Sequence, residues 1–123
     1  MLPKPKKRTW SVSETQLDKL WRTAIYKKYG SRCAKCGGAG VEAHHIVRRN
    51  KKVLRWDLKN GIALCPECHR WADTLEGRQW AYSKVHIEYL QAQERKTLKD
   101  LQITADEFRV QAAKTLKEYL NGH

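Results

Sequence analysis

Asn60-Gly61-Ile62-Ala63-Leu64-Cys65-Pro66-Glu67-Cys68-His69 is the stretch on which the fold turns. Gly61 to Leu64 reads as a short apolar strand. Pro66, directly after Cys65, suits the first turn of a helix, where a missing N–H costs nothing. That helix should run through His69 and Trp71 toward Leu75, with Gly77 ending it. Cys65 and Cys68 are two residues apart, and a matching pair, Cys33 and Cys36, lies upstream with 28 residues between the pairs. A two-residue spacer lets both sulfurs of a pair reach one ion at about 2.3 Å, and two such pairs complete a tetrahedron. No cysteine is left over. A redox Cys-x-x-Cys would need one pair only and a thioredoxin-like βαβ context, which this chain lacks. A structural Zn²⁺ on Cys33, Cys36, Cys65 and Cys68 is therefore expected. Four thiolates leave no open position for water, so such an ion would hold the fold and leave chemistry elsewhere.

The segment between the pairs is longer than the roughly 15–20 residues of a plain zinc ribbon. It contains His44, His45 and Asn60. Val41 to Val47 reads as a strand, on which successive side chains face opposite ways, so the two histidines should do different jobs. His69 follows Cys68 on the helix, and adjacent helical residues are rotated by about 100°. It should point away from the zinc and toward the strands, giving two separate metal sites that share one short helix.

Around this frame the pattern is helical. A first helix is expected from Ser11, where Ser11-x-x-Glu14 fits a capping box. Leu17, Leu20, Trp21, Ala24 and Ile25 form its apolar face, and Gly30 stops it. Arg78 to the mid-90s reads as a helix with Trp80, Val85, Ile87 and Leu90 inward. Thr104-x-x-Glu107 opens a last helix, with Phe108, Ala112, Leu116 and Tyr119 or Leu120 inward and Asn121-Gly122 at its end. Trp56 reads as a core anchor, and His86 and His123 as surface residues. The expected architecture is α+β: a small ββα finger stapled by four cysteines and flanked by N-terminal and C-terminal helices. Residues 1–10 read as a flexible basic arm and 11–123 as one domain, with a core motif at 33–73 and a helical extension at 78–121.

Net charge is +12 over 123 residues. Residues 1–60 hold 16 Lys+Arg against 4 Asp+Glu, whereas residues 61–123 hold 9 against 9. The excess sits with the histidine doublet, which points to a polyanionic partner, nucleic acid before membrane. Arg48, Arg49, Lys51, Lys52 and Arg55 lie between the doublet and Asn60 as candidate phosphate contacts, which give affinity and salt dependence without sequence choice. The balanced C-terminal helices should pack on the first helix or pair two chains as a homodimer, rather than clamp DNA. No apolar run approaches 18 residues, so no membrane span is expected. A cytoplasmic, reducing setting is expected, where cysteines bind metal rather than pair.

Glu42-Ala43-His44-His45-Ile46-Val47 followed by Asn60 to His69 resembles the HNH endonucleases of the ββα-metal type, in the variety with two Cys-x-x-Cys pairs. The resemblance runs from about Cys33 to about Asp73. It implies that His45 is the general base, that His44 and His69 hold a catalytic divalent ion, and that Asn60 completes the catalytic set by bracing the loop behind the doublet. Many relatives carry Asp where His44 stands. The implied activity is divalent-metal-dependent cleavage of DNA, most simply double-stranded, to 5′-phosphate and 3′-hydroxyl ends. Size and context resemble phage or prophage proteins that assist genome packaging or recombination in a bacterial host cell. Imidazole ligands favour transition ions, so Mn²⁺, Ni²⁺ or Co²⁺ should serve at least as well as Mg²⁺. A histidine near pKa 6.5 is suited to making a nucleophile at neutral pH. Two rivals stand beside this: a zinc-knuckle DNA-binding module without activity, and a nuclease directed at RNA.

Overall fold

The computed structural model describes residues 12–122, so the expectations for the arm at 1–10, for a cap at Ser11 and for His123 fall outside it. Helix α1 (Glu14–Lys28) opens with a capping box two residues later than expected. Gln16 N donates to Ser13 Oγ at 3.1 Å, and Ser13 N donates back to Gln16 Oε1 at 2.9 Å. Leu17, Trp21, Ala24 and Ile25 are buried along one face. Gly30 at φ +62° and Ser31 at φ +57° then turn the chain through the left-handed region and stop the helix.

Strands β1 (Glu42–His45) and β2 (Gly61–Leu64) pair antiparallel, with Glu42 opposite Leu64, Ala43 opposite Ala63, His44 opposite Ile62 and His45 opposite Gly61. The first strand is shorter than the expected Val41–Val47. Ile46 N still reaches Asn60 O at 3.3 Å, but the Val47 peptide is bound by the Asn60 side chain rather than by a partner strand. Gly61 is not part of an Asn-Gly turn. It opens β2 beneath α1, where an added Cβ would lie 2.4 Å from Ile25 Cδ1 and 2.6 Å from Trp21 Cζ2.

Helix α2 (Pro66–Ala72) is capped by Cys65, and α3 (Leu75–Ser83) follows it after a two-residue break. Here the sequence expectation of one helix ending at Gly77 fails. Thr74 caps a new helix by accepting from Gly77 N at 3.1 Å, and Gly77 is buried inside α3. A Cβ there would sit 2.1 Å from Trp71 O, so the glycine permits α3 to fold back over the end of α2. The helix expected from Arg78 to the mid-90s is likewise two: α3, and α4 (Ile87–Glu94) after a break at 84–86. Leu90 is buried as expected, whereas Ile87 is exposed. Helix α5 (Ala105–Gly122) begins at the expected box, with Thr104 and Glu107 bonding one another's backbone N–H.

The main apolar cluster joins Leu17, Trp21, Ala24 and Ile25 of α1 with Trp56, Ala63, Ala113 and Leu116. Helix α5 thus packs on α1, one of the two roles its balanced charge left open. Each large side chain buried there contributes about 1.5–3 kcal/mol. A second cluster of Cys33, Ile62, Leu64 and Ala72 lies on the other side of β2. A third, of Val47, Leu54 and Leu90, pins the basic loop. The result is α+β, a ββα unit of β1, β2 and α2 between α1 and the later helices. Among the described residues no helix is long and apolar enough to cross a membrane.

Candidate active site

The two cysteine pairs meet beside β2. Their four sulfurs all lie within 4.8 Å of one another, and Cys36 Sγ stands 3.8 Å from Cys65 Sγ. Metal–sulfur bonds of about 2.3 Å in a tetrahedron put sulfurs about 3.8 Å apart, so the quartet fits an ion such as zinc. Both pairs form the same turn. Cys36 N donates to Cys33 Sγ at 3.5 Å, and Cys68 N to Cys65 Sγ at 3.4 Å. Ala34 N donates to Ala63 O at 2.8 Å, tying the first pair to β2.

On β1 the period of two separates the doublet, as expected. His44 shares a face with Glu42 and meets His69 of α2, the ring centroids 4.9 Å apart at 74°. His69 does turn away from the cysteines toward the strands. Its Nδ1 lies 2.8 Å from Glu42 Oε1, which leaves Nε2 to face a ligand. Burial, and then the neighbouring His69, push the His44 imidazole down to about 4, with Asp73 offsetting part of this. At neutral pH it carries a free lone pair.

His45 faces the other way. Its ring stacks on Trp21 at 3.8 Å and 7°, and its Nε2 lies 2.8 Å from Arg55 O. A carbonyl can only accept, so Nε2 carries the hydrogen and Nδ1 the lone pair. Burial lowers the pKa of His45 despite the bond to that carbonyl and the nearby Asp18, and the charges of Arg55 and Arg49 lower it further.

Asn60 is fully buried and explains how the carbonyl is held. Its Oδ1 accepts from Val47 N at 2.7 Å, and its Nδ2 donates to Val47 O at 2.9 Å and to Leu54 O at 3.0 Å. One side chain therefore clamps both ends of the loop, and the peptide next to Leu54 presents its carbonyl to His45.

The basic loop residues do not share one environment. Arg48 and Lys51 line a cavity of about 300 Å³ with both histidines. Arg49 is exposed nearby, and Lys52 is exposed but paired with Glu14 at 3.3 Å. Arg55 is engaged elsewhere. Its guanidinium holds Asp18 through Nε at 3.1 Å and Nη2 at 2.8 Å, and lies over Trp56 at 5.2 Å. What faces the doublet is its backbone carbonyl. Trp56 is buried, as expected, and His86 is exposed.

Several contributors went unnoticed in the sequence. Glu42 was legible in principle, since it stands two residues before His44 on a strand and must share its face. Asp73 and Arg78 line the cavity, and Trp21 and Asp18 support the loop from α1. Only packing brings these to the site.

A family model described as HNH endonuclease matches residues 32–72. No curated protein and no solved structure matches the chain. The matched segment begins just before the first cysteine and ends on the last residue of α2, so it covers both cysteine pairs, the doublet, Asn60 and His69. With the ββα unit and the cysteine quartet in place, residues 32–72 match the HNH endonuclease model in sequence and are consistent with its fold, and a nuclease is the class of activity that this match implies.

Proposed function

We propose that the protein is a divalent-metal-dependent DNA endonuclease that uses His45 as general base and holds its catalytic ion on His44 and His69. The observation that carries this is the 2.8 Å contact of His45 Nε2 with the Arg55 carbonyl, beside the His44–His69 pair. It fixes the tautomer that leaves Nδ1 able to take a proton from an attacking water. His44 is neutral, and the carboxylate of Glu42 on His69 Nδ1 orients the second ligand ring, an arrangement usual for metal-binding histidines. A divalent ion bound there supplies the positive charge that phosphodiester cleavage needs at the phosphate and leaving oxygens. Asn60 acts as a positioning residue through the loop backbone. The cysteine quartet holds a structural zinc. Residues 11–123 work as one nuclease domain around the motif at 33–73, in a bacterial cytoplasm.

Arg48, Arg49 and Lys51, with Lys52 at the edge, contact the phosphates of double-stranded DNA. Arg55 serves instead as a brace, since its guanidinium is bound to Asp18.

A plasmid-nicking assay tests this with the wild type, His45→Ala and Cys65→Ser, each with Mg²⁺, Mn²⁺, Ni²⁺ and Co²⁺. The wild type should cut to 5′-phosphate and 3′-hydroxyl ends, with a transition ion at least as effective as Mg²⁺. His45→Ala should stay folded and lose at least the 10²-fold that general-base catalysis supplies (about 10²–10⁴). Cys65→Ser should fail by unfolding, because metal binding is folding energy in so small a frame. Undiminished cutting by His45→Ala would overturn the mechanism. A wild type that binds DNA but never cuts it would make the protein a DNA-binding module instead.

A further inference from the structure

Two concavities adjoin on the surface. The cavity of about 300 Å³ that contains His44 and His45 also takes in Arg78 of α3. A second, of about 550 Å³, is lined by Lys52, Arg95 and Lys96. Asn50, Lys51 and Glu94 lie in the walls of both, so the two form one trough from the doublet to the end of α4.

The basic residues in and beside this trough are not equivalent. Arg55 and Lys52 are bound to carboxylates. Lys51, Arg78, Arg95 and Lys96 are exposed, and among the described residues none of the four is in an ion pair. Four cations outside any ion pair along one concave path, which also takes in Arg48 and the carboxylates of Asp73 and Glu94 and opens from a site that would cut a phosphodiester, suit an extended polyanion rather than an isolated anion. Arg78 of α3, and Arg95 and Lys96 just after α4, lie in the half of the chain whose net charge is zero, so their local concentration is invisible in the charge count.

Building on the DNA-endonuclease reading above, we propose that Lys51, Arg78, Arg95 and Lys96 hold DNA phosphates along this trough, so that α3 and α4 are part of the substrate-binding surface. The C-terminal helices then have a role beyond packing, outside the matched segment at 32–72.

The test is duplex binding by fluorescence anisotropy between 50 and 200 mM salt, with no divalent ion added beyond zinc. Each phosphate contact adds about 0.9 to the slope of log affinity against log salt. Arg95→Ala/Lys96→Ala should therefore lower the slope by about 1.8, so that the wild type loses about 12-fold more affinity than the variant across that range. Arg78→Ala should lower it by about 0.9. Lys114→Ala/Lys117→Ala, which removes the same charge from exposed positions on α5, should leave the slope unchanged. An unchanged slope in Arg95→Ala/Lys96→Ala overturns the proposal. So does an equal fall in the α5 control, which would reduce the effect to net charge. Because binding is read without cleavage, a wild type that binds but does not cut would refute the nuclease reading and leave this result standing.

Discussion

Replacing Asn60 tests how the base is held. The side chain is fully buried and makes three bonds, at 2.7, 2.9 and 3.0 Å, to the backbone of Val47 and Leu54. Asn60→Ala strips one N–H and two carbonyls of their partner in the interior. Each such group costs about 1–3 kcal/mol, and partial relaxation brings the sum to about 3–6 kcal/mol. Against a total stability of about 5–15 kcal/mol this is severe. Asn60→Asp separates the contributions. It keeps the bond from Val47 N, but places an oxygen against two carbonyls that can only accept. That carboxyl must protonate to donate, so its folded-state pKa should rise above the usual 3.9 or so. A raised folded pKa adds stability that is present at low pH and lost as pH rises. Asn60→Asp should therefore be more destabilising at pH 7 than near pH 4. Urea unfolding followed by tryptophan fluorescence, in buffers saturated with zinc, measures both. A loss below about 1.5 kcal/mol for Asn60→Ala, at an unchanged denaturant slope, would refute the bracing role, because three orphaned groups cannot cost so little.

Glu42→Ala should weaken binding of Mn²⁺ about 10- to 100-fold, because His69 loses the carboxylate that orients it; Glu42→Gln, which keeps an acceptor, should fall between, and unchanged affinity in calorimetric titration would remove Glu42 from the site. Gly61→Ala should cost about 1–3 kcal/mol by overpacking against Ile25 and Trp21, and should shift the Trp21 fluorescence as its ring is pushed off His45. Asp18 carries a second pH dependence. Burial raises its pKa, and the bonds from Arg55 and Trp56 outweigh this and leave it lowered. A depressed folded pKa gives stability that is present above the unfolded value of about 3.9 and lost as pH falls through the folded one. Asp18→Asn should thus be destabilising at pH 7 and converge on the wild type at acid pH, the comparison at each pH cancelling the shared loss of zinc; a pH-independent difference would argue against the ion pair.

The cysteine spacing, the strand alternation at His44-His45 and the helix phase at Cys68-His69 are local properties, with a covalent period of two or 3.6 residues behind each. They were readable one residue at a time, and they produced the ββα unit, the thiol quartet and the separation of the two candidate metal sites. Helix boundaries were less legible. Gly77 read as a stop because an exposed helical glycine costs stability, yet it is buried where only a hydrogen fits beneath Trp71 O. Arg55 read as a DNA contact because its charge is visible in the sequence and its partner, Asp18, stands 37 residues away.

The sequence alone thus settled which residues are chemically equipped: four thiols at metal spacing, two histidines on opposite faces, a third turned toward them, and a basic first half. Tertiary structure alone decided which of these are free to act. The carbonyl that orients His45, the carboxylate that occupies Arg55 and the trough that unites Lys51 with Arg95 and Lys96 all join segments far apart in the chain. Such partnerships depend on how α1, the loop and α4 pack, which no local periodicity encodes.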